Sequence, residues 1–422
     1  MENRKEQVLS LSLRLLLLLT GIWLGSRIMP RIVQKQEPNT VTSRDILSES
    51  GQASSEYGIS LLEEPTVETL SASLPWSKSF GGFYYEHLGE AEQVWYEDIY
   101  FALADMSSET ELSDGQLAIL DDARIDKIFQ CVMNDHPEFF YVTGYAYTVY
   151  TYGEEITRIS FSGTYTMEKE ERDERLLAIE AAVEEILAGL DPLASDYEKV
   201  RYVYDYLVCH TEYDKQAEDN QNICSVFLND RSVCQGYAKA AQHLLKRLGL
   251  KVTLIIGKVY TGDSHAWNLV WVDGEPYYMD VTWGDASYQV AAESDMLQGI
   301  YLPAVNYDYL CVTTAQLLKT HTPDDLVKLP ECTATEANYY VMEGAYFMAY
   351  EEEAVAAFFE RERETGKTDI TLKCDNKEVY EAFLEELIEK QKIFRYLDSN
   401  GGTVAYTRDP DGLSLTFWLV NT

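Results

Sequence analysis

The chain of 422 residues is long enough for two or three domains with ordinary hydrophobic cores. Apolar residues make up 46% of the sequence, which excludes a wholly disordered protein. The net charge of −37 repels phosphate backbones, so nucleic acid is not expected as a partner. The sequence contains no glycine-rich phosphate-binding motif and no EF-hand loop, and no cofactor is expected.

The N-terminus contains an apolar run that indicates a membrane-targeting segment. Arg4 and Lys5 precede this run, which extends from Leu15 to Leu24. The run is short for a spanning helix and is typical of the apolar part of a signal peptide. Because no small-residue cleavage site follows, we predict an uncleaved signal anchor over residues 1–30, with a cleaved signal peptide as the alternative. Either would place the rest of the chain outside the cytoplasm.

Two regions follow before the middle of the chain. Residues 31–75 are polar and rich in Ser, Glu and Thr, which predicts a flexible linker. Residues 76–190 are predicted to form an N-terminal α+β domain, with helices over 91–106 and 122–134, a hairpin over 144–162 and a long helix from residue 166. The aromatic run at 135–141 is expected to pack against the next domain.

A helix is predicted to begin near Cys234. Its apolar stripe consists of Tyr237, Ala241, Leu244 and Leu248. Ser232 is a candidate N-cap and Gly249 a candidate C-terminal stop. Cys234 then lies in the first turn, where free N–H groups and the helix dipole favour a thiolate. Its own backbone N–H is a natural donor to an oxyanion.

A β region follows this helix, with strands predicted over 250–260, 265–272 and 275–283. Asp273-Gly274 is a strong signal for a two-residue hairpin. If Val272 pairs with Glu275, His265 and Asp280 become diagonal neighbours on one face of the hairpin, within reach of a side-chain hydrogen bond. Together with Cys234 they would supply a nucleophile, a base and a carboxylate that orients the base.

Other interpretations of these residues compete with this one. Asp263 and Asp285 compete with Asp280 as the carboxylate, but both are expected to be solvated loop residues. An isolated cysteine at a helix start is usually a small buried apolar residue, so the hypothesis rests on three residues together. A zinc site would require convergence of Cys224, Cys234, His210 and His265, but no typical ligand spacing is present, and no metal is expected.

Residues 291–422 are predicted to form a C-terminal α+β region with no chemical constellation of its own. Its segments up to residue 345 are irregular, with short strands. Beyond them the sequence predicts a helix over 351–364, a strand over 368–374, a helix over 377–393 and a hairpin over 403–420.

Three segments resemble the transglutaminase-like superfamily, whose fold is related to that of papain-like cysteine proteases. They are Val-Cys-Gln-Gly-Tyr-Ala at 233–238, His-Ala-Trp-Asn at 265–268 and Asp-Gly-Glu-Pro-Tyr-Tyr-Met-Asp-Val-Thr-Trp at 273–283. The resemblance covers roughly residues 191–290. It implies an α+β fold in which a nucleophile helix packs on an antiparallel sheet, with flanking α+β regions. It also implies that Cys234 is the nucleophile, His265 the general base and acid, and Asp280 the orienting carboxylate.

The superfamily includes protein cross-linking enzymes, proteases, amidases and members that have lost catalysis. We therefore expect an extracytoplasmic cysteine enzyme that acts on amide bonds of a protein or peptide substrate, with the cell envelope as one source. Hydrolysis is favoured over cross-linking, because water is the default acceptor for a thioester. The alternative is an inactive binding or scaffold protein of the cell envelope that retains the fold.

Overall fold

A computed structural model describes residues 81–113, 117–152, 155–285, 305–365, 367, 369–397 and 404–418. It also assigns a two-residue strand, β1 (Leu16–Leu17). The signal anchor predicted over 1–30 and the linker predicted over 31–75 otherwise lie outside the described residues, so both stay predictions. Within the described ranges, no helix combines the length and the apolar character that crossing a bilayer requires.

The region before residue 190 contains the predicted helices and hairpin. The helices are α1 (Phe83–Glu86), α2 (Glu90–Ala104), α3 (Asp122–Asp135) and α4 (Lys169–Leu187). The strands are β2 (Thr110–Glu111), β3 (Val142–Tyr152) and β4 (Glu155–Tyr165), and the sheet has the order β1-β3-β4-β2. A 3₁₀ turn spans Leu117–Ile119. The long helix begins three residues later than predicted, after Glu168 in extended conformation.

The central region places helices against an antiparallel sheet. Its helices are α5 (Asp196–His210), α6 (Ile223–Asn229), α7 (Cys234–Arg247) and α8 (Val281–Gly284). Its strands are β5 (Glu212–Tyr213), β6 (Arg231–Ser232), β7 (Val252–Val259), β8 (Ser264–Val272), β9 (Glu275–Met279) and β10 (His321–Pro323). The main sheet has the order β10-β7-β8-β9 and is antiparallel throughout. This arrangement is the predicted α+β class.

Helix α7 has the predicted apolar stripe and C-terminus but a different N-cap. Val233 is the N-cap residue, without a side-chain cap. The Ser232 hydroxyl instead donates to the Asn220 carbonyl at 3.0 Å, so the prediction of Ser232 as N-cap is wrong. Gly249, at φ +82°, follows the last turn, and Leu250 N–H donates to the Leu245 carbonyl, which closes the helix as predicted.

The β8–β9 hairpin has the predicted register. Val272 lies opposite Glu275, and both turn residues, Asp273 and Gly274, have positive φ, as a tight type I′ turn requires. The predicted strand over 275–283 is too long, because it ends at Met279 and the chain turns into helix α8. The pairing of β8 with β9 therefore ends at Asn268 opposite Met279, and His265 lies beyond the paired residues.

Small side chains let α7 lie close to the sheet. Ala238 packs against Leu254 on β7 and Ala266 on β8, and all three are buried. The Asn268 amide, in the predicted His-Ala-Trp-Asn segment, donates to the Ala238 carbonyl at 2.9 Å. This hydrogen bond fixes β8 along the helix. It thereby sets the position of His265 relative to Cys234 at the helix start.

The N-terminal region packs against the central sheet and helix. The Tyr84 hydroxyl donates to the Leu254 carbonyl at 2.8 Å, and the Gln242 amide donates to the Asn134 carbonyl at 2.7 Å. Phe140, in the aromatic run, is buried, and its carbonyl accepts from Asn222 at 3.3 Å. The run therefore contacts the neighbouring region, as expected, while the domain boundaries stay predictions.

The C-terminal region forms its own sheet, with the order β11-β12-β14-β13. Its strands are β11 (Tyr346–Phe347), β12 (Asp369–Cys374), β13 (Ala405–Asp409) and β14 (Ser414–Trp418). Its helices are α9 (Thr314–Leu317), α10 (Tyr339–Met342), α11 (Glu352–Glu364), α12 (Lys377–Phe383) and α13 (Ile393–Tyr396), with a 3₁₀ turn at Tyr307–Tyr309 and a π turn at Leu384–Glu389.

Strand β10 is the contribution of this region to the central sheet. It pairs with the end of β7, with His321 opposite Val259 and Pro323 opposite Gly257. A Cβ atom at Gly257 would lie 2.3 Å from the Thr322 carbonyl oxygen and 2.6 Å from the Trp267 ring. Only glycine therefore permits this close approach, which brings His321 to the end of the sheet where His265 lies.

Candidate active site

His265 and Asp280 form a buried hydrogen-bonded pair. The His265 Nε2 atom lies 2.8 Å from Asp280 Oδ2, and the two residues are 5% and 0% exposed. The pair forms because Asp280 directly follows β9 and is the N-cap of α8. Its Oδ1 accepts from the Trp283 backbone N–H at 3.2 Å, which leaves Oδ2 directed at the imidazole.

Cys234 completes a chain of three side chains. It lies in the first turn of α7, is buried, and makes a side-chain hydrogen bond to His265. Since Nε2 of His265 faces Asp280, Nδ1 is the ring nitrogen left for the thiol. The structure thus brings together all three residues that the sequence suggested, in the order thiol, imidazole, carboxylate. Their catalytic roles stay predictions.

The electrostatics of this chain favour a charged imidazole. Burial alone would lower the pKa of His265, but the charge of Asp280, the Cys234 group and their hydrogen bonds outweigh it and raise that pKa to about 10. Burial alone would raise the pKa of Asp280, but His265 and the hydrogen bonds from two imidazoles hold it well below its usual range. An imidazolium beside the thiol stabilises a thiolate.

The second imidazole belongs to His321, which sequence reasoning missed. Its Nε2 atom lies 3.0 Å from the same Asp280 Oδ2, and its Nδ1 atom lies 2.8 Å from the Thr320 hydroxyl. His321 is 41 residues from Asp280 in sequence and lies in the region predicted to have no chemical constellation. The region therefore contributes to the site. No local spacing marks this histidine, because it reaches the site only through the pairing of β10 with β7.

Aromatic rings surround the three polar side chains. The Trp267 and Trp283 rings lie 4.9 and 4.6 Å from the His321 ring, measured between centroids. Trp283 also lies 6.0 Å from His265. Trp267 is fully buried and is therefore part of the core rather than the lining of an open cleft. These rings keep water from the Asp280 carboxylate, which strengthens its interactions with the imidazoles.

The helix start offers the predicted oxyanion donor. Within the described ranges, the backbone N–H of Cys234 donates to no other backbone group. It belongs to the first helical residue, whose N–H has no partner inside the helix. A carbonyl oxygen under attack by the thiol would meet this group.

The competing carboxylates lie in different places. Asp263 is exposed and accepts from the Thr261 hydroxyl at 2.8 Å, as expected for a solvated turn residue. Asp285 is 3% exposed and accepts from the Tyr237 hydroxyl at 2.5 Å. The expectation that Asp285 is solvated is therefore wrong. It is buried because it packs against α7, where its carboxylate holds the hydroxyl of Tyr237, a residue of the apolar stripe.

The four residues considered for zinc do not share a site. His210 stacks on Tyr206 at 4.2 Å, and Cys224 hydrogen-bonds to Arg175. Among the described residues, the one group with metal-ligand chemistry in close proximity is His265, Asp280 and His321. Its two Nε2 atoms lie at hydrogen-bond distance from a single Oδ2, and this geometry is that of a doubly hydrogen-bonded carboxylate.

Comparisons with known proteins agree with the geometry. Residues 181–281 match the transglutaminase-like superfamily. Human kyphoscoliosis peptidase is 25% identical over 172 residues, which cover 34% of this chain and 25% of that protein. The mouse protein of the same name is 25% identical over 176 residues, covering 37% of this chain and 26% of that protein. The chain thus spans about a quarter of the length of these relatives.

Two solved structures are similar over part of the chain. One is a crystal structure of a TGase, 18% identical, covering 37% of this chain and 50% of that one, with a TM-score of 0.25. The other is the periplasmic domain of TgpA from Pseudomonas aeruginosa bound to ethylmercury, 15% identical, covering 32% and 59%, with a TM-score of 0.21.

The raised pKa of His265 predicts how stability depends on pH. The pKa rises from about 6.5 in an unfolded chain to about 10 here, so the folded state retains the proton longer. The resulting stabilisation is complete below pH ~6.5 and is lost as pH rises through about 10. Urea unfolding of the wild type and His265→Gln should therefore give a free-energy difference that shrinks between pH 7 and 10. A difference that is constant or grows with pH would contradict the charged pair.

His321 is predicted to be a positioning residue that acts through Asp280. In His321→Ala the carboxylate loses one donor, and the His265 imidazolium is held less firmly. Alkylation of Cys234 at pH 7 should slow by about tenfold, equivalent to ~1.5 kcal/mol for a hydrogen bond to a charged group. The midpoint of its pH profile should also move to higher pH. His321→Gln keeps a donor and should restore both. Identical pH profiles for the wild type and the Ala variant would exclude this role.

Proposed function

Because residues 181–281 of this chain belong to the transglutaminase-like superfamily, we propose that the protein is a cysteine enzyme that cleaves amide bonds through a thioester. The observation that carries the proposal is the continuous hydrogen-bonded chain from Cys234 through His265 to Asp280. A thiol in this arrangement needs no further base, because the imidazole beside it is placed to take its proton.

The first half-reaction forms the thioester. The Cys234 sulfur attacks the amide carbonyl carbon, and the carbonyl oxygen takes the negative charge beside the Cys234 N–H. As the oxyanion collapses, the C–N bond breaks, and the His265 imidazolium gives its proton to the leaving amine. Asp280 keeps the imidazole oriented throughout and remains ionised.

The second half-reaction decides the class of product. Neutral His265 takes a proton from water, the oxygen attacks the thioester carbon, and the C–S bond breaks to release a carboxylic acid. A substrate amine in place of water would give a new amide, which is cross-linking. We favour hydrolysis, because water needs no dedicated binding site whereas an amine must be held against competition from water. The word peptidase in the names of the partly covered relatives supports the same choice.

A specific observation supports an alternative proposal, that of an inactive binding or scaffold protein. Cys234 is 7% exposed and His265 is 5% exposed, so a substrate carbonyl has little access to the thiol in this conformation. A fold that retained the triad for structural reasons would have the same burial. Chemical reactivity of Cys234 separates the two proposals.

Alkylation by iodoacetamide, resolved by residue with mass spectrometry, is the first test of function. Cys209 is the exposed cysteine among the described residues and serves as an internal reference. In an active enzyme, Cys234 reacts faster than Cys209 at pH 6 despite its burial, and His265→Ala removes this advantage. Slow labelling that is indifferent to His265 would favour the scaffold.

The product assay follows on the same protein. A peptide library is incubated with the wild type and Cys234→Ser in the presence of a fluorescent primary amine. Hydrolysis gives new peptide termini in the wild type alone, whereas cross-linking gives peptides that contain the amine. Predominant amine incorporation would overturn our preference for hydrolysis.

We also propose that the protein acts outside the cytoplasm, held by residues 1–30. The apolar run from Leu15 to Leu24 after Arg4 and Lys5 supports this location. The full chain should sediment with membranes and be digested by protease added to intact spheroplasts. Leu19→Arg, outside β1, should release it into the soluble fraction, while Leu61→Arg in the linker should not. Protection of the wild type from external protease would contradict the proposal, and N-terminal mass spectrometry distinguishes an anchor from a cleaved signal.

A further inference from the structure

A cavity of about 290 Å³ lies along helix α7, on a face different from the one that carries the thiol. Its walls come from the N-terminal region at 130–143, the loop at 219–222, helix α7 and the strand end around Ile256. This volume suits one side chain or a small ligand rather than a folded partner. The mechanism above makes no use of it.

Lys239 lines this cavity and, among the described residues, has no partner of opposite charge. The residue is 6% exposed, and within the described part of the chain its ammonium makes no hydrogen bond or ion pair. Burial lowers its pKa to about 8. By contrast, Lys246, two turns further along, donates to the Asp135 carbonyl. A buried lysine is normally paired, because an isolated charge is costly to remove from water.

The cavity adjoins the candidate active site through two of its lining residues. Gln235 directly follows Cys234, and it shares a helix face with Lys239, four residues on. Ile256 directly precedes Gly257, which lies opposite His265 in the sheet. The cavity wall at Gln235 is thus one residue from the thiol along α7, although Ile256 and His265 lie on opposite faces of the sheet.

The acidic residues of the cavity wall do not neutralise Lys239. Asp219 is paired with Arg175 at 2.6 Å. Asp324 is partly buried, which raises its pKa, and the charge of Lys258 opposes this rise. Among the described residues, neither carboxylate forms an ion pair with Lys239, and burial lowers the pKa of the lysine. Within the described ranges the lysine thus has no counterion, and Gln235 and Asn222 line the same cavity.

We propose that this cavity is a substrate subsite in which Lys239 binds a carboxylate of the acyl donor. The inference rests on the proposed function and names the class of substrate, a peptide with an acidic group close to the scissile amide. The carboxylate belongs either to an acidic side chain or to the C-terminus of the peptide. Both would supply the charge that the lysine lacks and would accept from the neighbouring amides.

Thiol-directed probes of matched length test the subsite in the full chain. N-iodoacetyl-γ-aminobutyrate, its carboxamide and the corresponding amine differ only in the distal group. The wild type should label at Cys234 about tenfold faster with the carboxylate than with the carboxamide, as one charge-assisted hydrogen bond provides. Lys239→Met should lose this preference, so that the two probes label at equal rates. Equal rates for the two probes, or preference for the amine, would overturn the proposal.

Control variants separate the subsite from general charge effects. Lys258→Met removes an equal charge from the exposed side of β7 near the same cavity and should leave the preference unchanged. Lys239→Met should fold, because methionine matches the length of the stem and removes an unpaired buried charge. Lys239→Gln provides a second variant that keeps a polar group, and it should also lose the preference.

A measurement without the thiol keeps this inference distinct from the proposed function. In Cys234→Ala, glutarate should raise the thermal midpoint of unfolding, and glutaramide should not. Lys239→Met in the same background should abolish the shift. If glutarate binds but Cys234 proves unreactive, the subsite stands and the enzyme proposal fails. If Cys234 is activated but glutarate has no effect, the enzyme proposal stands and the subsite proposal fails. N-acetylglutamate amide and N-acetylalanine then distinguish a side-chain carboxylate from a C-terminal one.

Discussion

The buried carboxylate of Asp280 is the constraint on which the site depends. It has no exposed surface, and it accepts from two imidazoles and from the first turn of α8. A charge in such a position is tolerated only when every lone pair is engaged. Any movement of β8 or β10 would leave it uncompensated. The carboxylate therefore holds strands from two distant parts of the chain in one arrangement.

The scaffold supplies this arrangement through a few close approaches. Alanines let α7 rest on the sheet, Asn268 fixes the offset between helix and strand, and Gly257 admits the strand that carries His321. The thiol at the helix start is thereby aligned with the imidazole without any loop between them. Regular elements hold positions more narrowly than loops do, which suits a site that transfers a proton.

The cationic cavity and the triad share one helix. The turn that presents Cys234 to His265 also presents Gln235, and one turn later Lys239, to a different face. In the proposed subsite, substrate binding and chemistry are therefore coupled through the rigid backbone of α7. Burial of an unpaired Lys239 is unfavourable, and a bound carboxylate would relieve this free-energy cost and so bind more tightly. The same logic explains why an otherwise unfavourable buried lysine lies so close to a nucleophile.

Local signals in the sequence were sufficient to predict that Cys234, His265 and Asp280 lie together. The helix period, the Asp-Gly turn and the alternation of strand residues depend on neighbours within a few positions, and they fixed the hairpin register that joins His265 to Asp280. The N-cap at Val233 was missed, because Ser232 bonds to Asn220, twelve residues away. The end of β9 at Met279 was missed, because Asp280 caps helix α8 through the Trp283 N–H. The roles proposed for His321 and Lys239 follow from the tertiary structure alone. One reaches the carboxylate through a pairing of distant strands, and the other is significant only because packing buries it with no counterion among the described residues.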